Sequence, residues 1–559
     1  MITLALAFFL APDLFQKHCA GCHGSDAQGL RANTHLAGQT AEQLQSYLRR
    51  GNPGAGMPAF GDLPPADLTL LVNYLRSLNP SGAAAPAAKS SILTWHAPQP
   101  GDWLSYNGNF SANRYSELKQ ITAANVANLK LQWIFPTEYF GLETTPLAAD
   151  GILYFTAPNQ VLAIDALTGA LLWKYARPQT AGLTGDAKLG TNRGVAILDD
   201  KVFFVTDNAH LLALSRATGE LLWEVPIAEE RQEYGGTIAP LVVDDKVIVG
   251  VAGADEGIRG FVAAFQASDG TLLWRHWTVP AQPLLGGGST WLTGSYDPST
   301  GTLYWPTGNP YPDDEDKDRP GDNLYTDSIL ALNAKTGELK WHYQFTPHDL
   351  LDRDATEPPV LVDTEYRGKP RKLLLHADRN GFFYVLDRTN GELLLAKPFV
   401  KRADWASGIG ADGRPVVTDP RGCPSDAANW SPTAFSPLTH LYYFLALEEC
   451  VGKPVGYPDE TGQRFLRAVN IETGEIVWEI AQPGPARAKT WTGVLATVGG
   501  VIFYGKPNGG FDAADQRTGE TLWHFPTNVR MKAPPITFTV SEKQYVVVAA
   551  GPNILCFAL

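Results

Sequence analysis

The chain has 559 residues, of which 44% are hydrophobic and only 18% are charged, so it can bury a large core or form two or more domains. The formal net charge of −13 argues against nucleic acid as a partner, because phosphates require clusters of lysine and arginine. No run of about eighteen apolar residues occurs, so no transmembrane anchor is expected. The 15 tryptophans and 54 glycines indicate β structure, in which aromatic anchors alternate with tight turns.

The sequence begins MITLALAFFLAPD, whose apolar run is typical of the hydrophobic region of a signal peptide. A basic segment before this run is missing, and a buried N-terminal helix is the alternative. We expect residues 1–11 to direct the protein to the periplasm. Cys423 and Cys450 flank a stretch rich in Trp and Pro and can pair, which suits an oxidising compartment, and Cys556 is expected to be a buried thiol.

The next signal is CAGCH, from Cys19 to His23. Two thiols at this spacing can form thioethers with the two vinyl groups of one haem, and the adjacent histidine then binds the iron. A zinc half-site needs a second pair of ligands, and a redox-active pair needs a βαβ context; the sequence offers neither nearby. We therefore expect haem c to be bound through Cys19, Cys22 and His23.

The second axial ligand is expected in GAGMPAF, where a rigid Gly/Pro turn can hold the Met57 thioether toward the iron. Thioether ligation raises the potential of a haem, which suits an electron acceptor. A core position is the alternative for this methionine. Amphipathic helices are predicted in AEQLQSYLRRG and PADLTLLVNYLRSL, and residues 12–79 resemble a small class I cytochrome c domain.

PSGAAAPAAKSS then breaks all periodicity and indicates a linker over residues 80–94. From Trp95 onward one phrase recurs as ALTGALLW, RATGELLW, ASDGTLLW, AKTGELKW, IETGEIVW and QRTGETLW, with a degenerate RTNGELLL. Each copy follows an apolar strand, so strand, TG turn and Trp-bearing strand form one hairpin of a four-stranded blade. Such repeats predict a propeller over residues 95–559, because radial closure protects strand edges.

Seven copies of the phrase are visible, and an eighth blade can be built from the two ends of this region. Those ends are the strands before Leu147 and the final VVVAAGPNILCFAL. We therefore expect eight blades, with the tryptophans packed between neighbouring blades.

The polar and aromatic residues that the repeat does not explain lie in the connections between its copies. Singly, each has an ordinary explanation as a turn, a core residue or a surface charge. They are Glu143, Arg193, Thr237, Asp255, Glu256, Trp291, Asn309, Arg379, Asn429, Trp430 and Trp491. If the blades close into a ring, these connections converge near its axis, where they would hold a flat polyanion and a hard cation.

RPGDNLYTDSILALNAKTGELKWHYQ, HADRNGFFYVLDRTNGELL and WTGVLATVGGVIFYG resemble phrases of the pyrroloquinoline quinone (PQQ)-dependent alcohol dehydrogenases. The resemblance spans about residues 95–559, and the preceding cytochrome c extends it to the quinohaemoproteins. It implies an all-β eight-bladed propeller of the quinoprotein type, with a small all-α cytochrome c domain at the N-terminus.

The resemblance also implies roles for particular residues. Asp352 matches the catalytic base, Arg379 the arginine at the reactive carbonyl, and Trp291 the aromatic floor beneath the quinone. The further cofactor-binding residues are Glu143, Arg193 and Thr237, which match groups around the quinone's carboxylates and rim, with Asn429 and Trp491.

Three positions depart from the family pattern. Asp255 stands where the family usually has a longer glutamate, and the neighbouring Glu256 is an alternative ligand. The adjacent-cysteine disulfide that often covers the quinone is absent, because DAKLGTNRG has no cysteine ahead of Asn192. Leu351 replaces the usual tryptophan before the catalytic aspartate.

TPHDLLDRDATE crowds four carboxylates into twelve residues, which indicates a nearby cation. Asp354 occupies the position where lanthanide-using relatives carry an extra carboxylate, and more anionic oxygens favour a cation of higher charge. We expect Ca²⁺ or a lanthanide, and favour a lanthanide, with the ligands Asp255, Asn309, Asp352 and Asp354. A loop cap is the alternative for Asp354, and Asp349 and Glu357 are assigned to the supporting shell.

The expected reaction is oxidation of an alcohol to an aldehyde or ketone, in which Asp352 accepts the hydroxyl proton and Arg379 stabilises oxyanion charge. The metal would act as a Lewis acid, and electrons would pass through haem c to an external cytochrome c or oxidase. A sugar (aldose) dehydrogenase with the same cofactors is one alternative. A propeller scaffold without catalytic function is the other.

Overall fold

The computed structural model describes residues 12–20, 41–50, 58–78, 99, 101–229, 232–281, 286–450, 452, 455–457, 462–484 and 492–559. The chain divides into two compact units, Met1–Thr94 and Trp95–Leu559. The predicted site residues Cys22, His23, Met57 and Trp491, the proposed signal peptide and the linker all lie outside the described residues. Within the described part, no helix is both long and apolar enough to cross a membrane.

The first unit is helical where it is described. Residues 12–18 form a helix, and two more helices span Ala41–Arg50 and Pro65–Leu78. Their apolar faces form a small core of Phe15, Cys19, Leu44, Leu48, Leu68, Leu71, Val72 and Leu75. Cys19, the first cysteine of CAGCH, is therefore buried next to the predicted amphipathic helices.

The second unit contains, among the described residues, eight blade sheets, here called blades 1 to 8, each with four antiparallel strands and one of them with a fifth strand. Blade 1 consists of Leu147–Ala149, Ile152–Ala157, Gln160–Asp165 and Leu171–Ala176, and blade 2 consists of Ala196–Leu198, Lys201–Val205, His210–Ser215 and Leu221–Pro226. Blade 3 consists of Leu241–Val243, Lys246–Gly250, Phe261–Gln266 and Leu272–Trp277, and blade 4 consists of Ser295–Asp297, Thr302–Pro306, Ser328–Asn333 and Leu339–Gln344. Blade 5 consists of Val360–Tyr366, Lys369–Ala377, Phe382–Asp387 and Glu392–Pro398, and blade 6 consists of Ala434–Ser436, Leu441–Glu448, Gln463–Asn470 and Ile476–Gln482. Blade 7 consists of Val494–Thr497, Val501–Gly505, Gly510–Asp515 and Thr521–Pro526, and blade 8 consists of Ile536–Val540, Lys543–Ala550, Asn553–Ala558 and Lys130–Pro136.

Three smaller features complete this unit. A short strand, Tyr115–Ser116, extends blade 7 in parallel, and Ala406–Ile409 pairs with Pro415–Val417 in a separate hairpin. Single turns of 3₁₀ helix span Val126–Asn128, Asp186–Leu189 and Ala254–Glu256.

Blade 8 closes the propeller with both ends of the region, as predicted. Lys130–Pro136 is antiparallel to Asn553–Ala558, with Lys130 opposite Ala558 and Pro136 opposite Asn553. Most residues of the C-terminal strands are buried, and Cys556 lies among them. This pairing completes the four-stranded blade and holds the first and last strands of the region in one sheet.

At six of the blade junctions the recurring tryptophan packs against the turn glycine of the next blade. The Trp173 ring of blade 1 lies over Gly219 of blade 2, and its indole Nε1 donates a 3.0 Å hydrogen bond to the Arg216 carbonyl oxygen. The same ring-on-glycine contact recurs in the pairs Trp133–Gly169, Trp223–Gly270, Trp274–Gly337, Trp341–Gly391 and Trp478–Gly519. At the degenerate copy, Leu395 and Lys397 cover Gly474 instead.

A turn glycine such as Gly219 is required both for its positive φ and for the close approach of the tryptophan ring. A comparison with Gly368, which has the positive φ without the ring contact, separates the two effects. Gly219 and Gly368 have the same φ of +74°, but a Cβ on Gly219 would lie 2.5 Å from the Trp173 ring, whereas a Cβ on Gly368 would meet nothing within 4 Å. We expect Gly368→Ala to cost about 1–2 kcal/mol through backbone strain alone. Gly219→Ala should cost about 1–3 kcal/mol more through overpacking. Thermal unfolding midpoints of the two variants measure the difference, and equal midpoints would show that the ring contact is unimportant.

The sequence left open whether Cys423 and Cys450 pair, and in the structure the two residues form a disulfide. It joins the segment before blade 6 to the end of the strand Leu441–Glu448. Both cysteines are buried with Val455 in a small apolar cluster. The disulfide thus anchors a long connection that approaches the candidate site described next.

Candidate active site

The connections between blades bring the predicted site residues to one cavity of about 350 Å³. The described members that line it are Glu143, Arg193, Thr237, Asp255, Glu256, Trp291, Asn309, Asp352, Asp354, Arg379, Asn429 and Trp430. Most precede the first strand of a blade or follow its second strand; Arg193 precedes Ala196–Leu198, for example, and Asn309 follows Thr302–Pro306. Because these two strands are antiparallel, the start of one and the end of the other meet at the same edge of the propeller.

One side of the cavity is aromatic and cationic. The Arg193 guanidinium donates a 2.9 Å hydrogen bond to the Glu143 carboxylate. The centre of the same guanidinium lies 4.7 Å from the centre of the Trp291 ring and 4.6 Å from the centre of the Trp430 ring. Lys532 lies 3.4 Å from the other oxygen of Glu143. Thr237 accepts the Arg193 backbone N–H through its carbonyl oxygen at 3.1 Å, which fixes the loop.

The opposite side is rich in carboxylates. Asp255 Oδ1 accepts a 3.0 Å hydrogen bond from the side-chain amide of Asn309, and Asp354 Oδ1 accepts the Asn309 backbone N–H at 3.0 Å. Arg379 lies 3.1 Å from Asp352 and 3.4 Å from Asp354. Asp255, Asn309, Asp354, Arg379 and Asp352 therefore form one continuous polar network.

This network carries more negative than positive charge, and the carboxyl groups respond to it. Burial raises the pKa of Asp352 well above its usual range; Arg379 opposes the shift, whereas Asp354 and Asp255 add to it. Burial also raises the pKa of Asp354 to about 7, again against Arg379 and with support from Asp255. Three mutually repelling carboxyls at one wall are the arrangement that a bound cation relieves.

Asp352 differs from its neighbours in exposure and backbone conformation. Its side chain is 36% accessible, compared with 10% for Asp354. Its φ of +54° lies in the left-handed region, which aspartate adopts more readily than most residues other than glycine. The two N–H hydrogen bonds from Leu351 and Arg353 to the buried Asp349 carboxylate stabilise this tight loop. The loop thus presents Asp352 to the cavity while Asp354 points into the wall.

The residues fit the two groups that the sequence predicted. Carboxylate and amide oxygens of Asp255, Asn309, Asp352 and Asp354 are the donors that Ca²⁺ and other hard cations prefer. Trp291 and Trp430 line the cavity, and the Arg193 guanidinium lies over both rings, so this aromatic wall suits a planar group. Arg193 and Lys532 at its rim complement the carboxylates of a flat polyanion.

Some site residues were not predicted from the sequence. Lys532 lies in the connection between blades 7 and 8, and Asp426, which lies 3.4 Å from Arg379 Nε, lies just before blade 6. Asp186 and Leu189 line the cavity from the turn Asp186–Leu189. All of them occupy connections between blades, so a search of every connection for charged residues would have found Lys532, Asp426 and Asp186 but not Leu189.

Comparison with known proteins gives a consistent result. A family profile described as the β-propeller domain of glucose/ethanol/alcohol dehydrogenases matches residues 103–402 and 485–546. A second profile, described as subunit III of cbb3-type cytochrome c oxidase, matches residues 11–75. The two matches fall in the two units of the chain, respectively the propeller and the helical unit.

Individual relatives agree with the profiles. The quinohemoprotein alcohol dehydrogenase ADH IIB of Pseudomonas putida is 35% identical, over 84% of this chain and 76% of its own length. The lanthanide-dependent methanol dehydrogenase of Methylacidiphilum fumariolicum is 34% identical, over 84% of this chain and 88% of its own. The crystal structure of the quinohemoprotein alcohol dehydrogenase from Comamonas testosteroni matches with a TM-score of 0.75 at 33% identity, over 83% of this chain and 81% of that one.

Proposed function

The chain belongs to the PQQ-dependent alcohol dehydrogenase family with a cytochrome domain, and from this premise we propose that it is a periplasmic quinohaemoprotein that oxidises a small-molecule alcohol to an aldehyde or ketone. One observation carries the proposal. The blade connections assemble an accessible Asp352, the paired Arg379, a carboxylate wall and the Trp291 floor around a single cavity.

PQQ, when bound, supplies the two-electron redox chemistry that protein side chains lack. Trp291 would form its floor, and Arg193, Lys532 and Thr237 would hold its rim. Arg379 would face its reactive carbonyl and stabilise negative charge there. The side chains of Asn429 and Trp491 are proposed to complete the cofactor-binding set.

Asp352 is proposed as the general base. Its Oδ atoms are open to the cavity, so one of them can accept the proton of a substrate hydroxyl. The 3.1 Å contact with Arg379 orients the carboxylate and favours its ionised form. A cation at the neighbouring wall would favour ionisation further, because it offsets the repulsion from Asp354 and Asp255.

The cation is proposed to be Ca²⁺ or a lanthanide, held by Asp255, Asn309, Asp352 and Asp354. The position of Asp354 favours a lanthanide. Its carboxylate contacts Asn309, 45 residues earlier in the chain, and therefore does more than cap its own loop. The similarity to a lanthanide-dependent methanol dehydrogenase supports the same choice.

The upper face of the quinone site is proposed to differ from that of relatives with a cysteine pair. In this chain the turn Asp186–Leu189 stands ahead of Asn192, and the Leu189 side chain on the cavity rim is 70% exposed. An apolar side chain can cover a planar ring without a disulfide. The absence of the cysteine pair is therefore compatible with quinone binding.

The helical unit over residues 12–79 is proposed to receive the electrons through haem c and pass them to an external cytochrome c or oxidase. Cys19 and Cys22 would form the thioethers, and His23 and Met57 would bind the iron. Residues 80–94 would be the linker to the propeller over residues 95–559.

Replacement of Met57 tests this electron path. We expect Met57→Ala to lower the haem potential by on the order of 100 mV, because axial ligands set much of the range of haem potentials. Reoxidation of the enzyme should slow while reduction of the quinone by alcohol continues. Redox titration and stopped-flow spectra measure the two effects. Met531→Ala, which truncates the buried methionine between blades 7 and 8, is the control, and an unchanged potential in Met57→Ala would exclude Met57 as ligand.

One experiment distinguishes the alcohol dehydrogenase from its alternatives. The full chain is purified, loaded with PQQ and either Ca²⁺ or La³⁺, and tested on alcohols and aldoses by dye reduction. Alcohol turnover supports the proposal. Turnover of aldoses alone would instead indicate a sugar dehydrogenase, which the matched family description also includes. No turnover with either metal would favour a scaffold.

A further inference from the structure

A second group of metal-ligating side chains lies behind the cavity wall. Three buried side chains form this group: Glu357, which is 1% exposed, and His376 and Asp378, which are each 0% exposed. Each offers one ligand atom, and the three ligand atoms lie within 4.8 Å of one another. His376 Nε2 is 2.9 Å from Asp378 Oδ2 and 3.5 Å from Glu357 Oε2. None of the three lines the cavity or belongs to the proposed PQQ-site cation.

The spacing fits a shared metal ion. Ligands about 2.1 Å from a metal are separated by about 3.0 Å at a right angle and by about 3.4 Å at the tetrahedral angle. The two distances from His376 Nε2 agree with these values. A hydrogen bond accounts for the shorter contact as well, but it leaves the longer one and the Glu357 carboxylate unexplained.

Glu357 provides the independent observation. Neither of its carboxylate oxygens has a hydrogen-bond partner among the described residues, although the side chain is almost completely buried. Such a carboxylate is costly unless a cation or donor satisfies it. Burial raises the pKa of Glu357 well above its usual range, and repulsion from the Asp378 carboxylate adds to the shift.

The other two ligands are held in position by contacts that leave their metal-facing atoms available. The Phe345 ring stacks on the His376 imidazole at 4.3 Å with an interplanar angle of 20°. Asp378 accepts the Asn380 backbone N–H through Oδ1, so Oδ2 remains directed toward His376. The site is therefore preformed on one strand end, and Glu357 closes it from the neighbouring loop.

We propose that Glu357, His376 and Asp378 bind one first-row divalent cation, of which Zn²⁺ is the representative, as a structural site separate from the PQQ-site cation. Two carboxylates and a neutral imidazole balance the charge of a divalent ion. The imidazole nitrogen and the small number of protein ligands disfavour Ca²⁺ and lanthanides, which prefer six or more oxygens.

The position of the site gives it a structural role. Glu357 ends the segment TPHDLLDRDATE, which carries Asp352 and Asp354, while Asp378 directly precedes Arg379. An ion shared by the two segments would hold the base and its arginine in register. The three ligands would then be positioning residues for the reaction.

Metal analysis of the full chain tests the proposal. Protein produced with PQQ, La³⁺ and Zn²⁺ is dialysed and its metals are measured by mass spectrometry. We expect about one Zn²⁺ per wild-type chain besides the lanthanide. Glu357→Gln and His376→Gln should each lower zinc at least tenfold. Asp297→Asn is the matched control, because it alters a buried carboxylate paired with Arg388 elsewhere in the propeller and should retain zinc.

Two further measurements on wild-type protein keep the proposal testable if the variants fold poorly. Co²⁺ in place of Zn²⁺ should give visible absorption typical of imidazole ligation. A zinc chelator should lower the thermal unfolding midpoint of the wild type. Wild-type protein that holds no first-row cation after growth with zinc would overturn the proposal, as would equal zinc in wild type and Glu357→Gln.

Discussion

Asp352→Asn is expected to lower alcohol oxidation by at least about 10²- to 10⁴-fold, because the amide cannot accept the hydroxyl proton. The bound quinone should remain, since the substitution leaves the floor residue Trp291 and the rim residues Arg193 and Lys532 untouched. The amide also preserves the volume of the side chain and can still accept a hydrogen bond from Arg379. Dye-reduction rates and the PQQ content of the purified variant are the two measurements.

Asp318→Asn is the control for this substitution, because Asp318 is an exposed carboxylate that does not line the cavity. It should keep full activity and a full complement of PQQ. If Asp352→Asn loses PQQ together with activity, Asp352 is needed to assemble the site and its assignment as the base is wrong. If activity survives, another group accepts the proton.

Asp354→Asn is expected to change the metal preference of the enzyme. The substitution removes one of three carboxylates from the wall, and the cation of higher charge loses more Coulomb energy than Ca²⁺ does. We expect activity reconstituted with La³⁺ to fall at least about tenfold, which corresponds to about 1.4 kcal/mol. Activity reconstituted with Ca²⁺ should be retained. Titration of the apoenzyme with each ion, with activity and metal content as readouts, measures the preference.

Glu256→Gln is the matched control for the metal experiment. Glu256 also lines the cavity and directly follows Asp255, so its substitution removes a comparable charge from the same region. The ratio of La³⁺ to Ca²⁺ activity should be unchanged. If instead Glu256→Gln loses La³⁺ activity, Glu256 is a ligand in place of the shorter Asp255. If Asp354→Asn keeps its activity with La³⁺, Asp354 only positions the Asn309 loop.

The propeller could be predicted because its information is local and repeated. Each TG turn with its following tryptophan specifies a hairpin, and the contact of Trp173 with Gly219 shows why both residues recur. The number of blades also followed from the sequence, because the strands before Leu147 and the final strands of the chain belong to none of the seven repeats and can form an eighth blade. The helical unit was predictable for a similar reason, because CAGCH and the amphipathic segments are contiguous.

The candidate site was only partly predictable. Residues within recognisable phrases, such as Asp352 in DLLDRD and Arg379 in HADRNG, were found by resemblance. Lys532 and Asp426 were missed because neither lies in such a phrase. Their relevance comes from contacts with Glu143 and Arg379, which belong to other blades or connections.

By itself the sequence determined the repeating hairpins, the haem-binding motif and the set of polar residues in the connections, because short-range patterns encode each of these. Only the tertiary structure decided which of those residues meet. Glu143 and Lys532 are 389 residues apart in sequence, and Asp255 and Asn309 are 54 apart, so no local pattern links them. Their proximity arises because ring closure brings one end of every blade to a common axis, and the geometry of that end is set by the packing of whole blades.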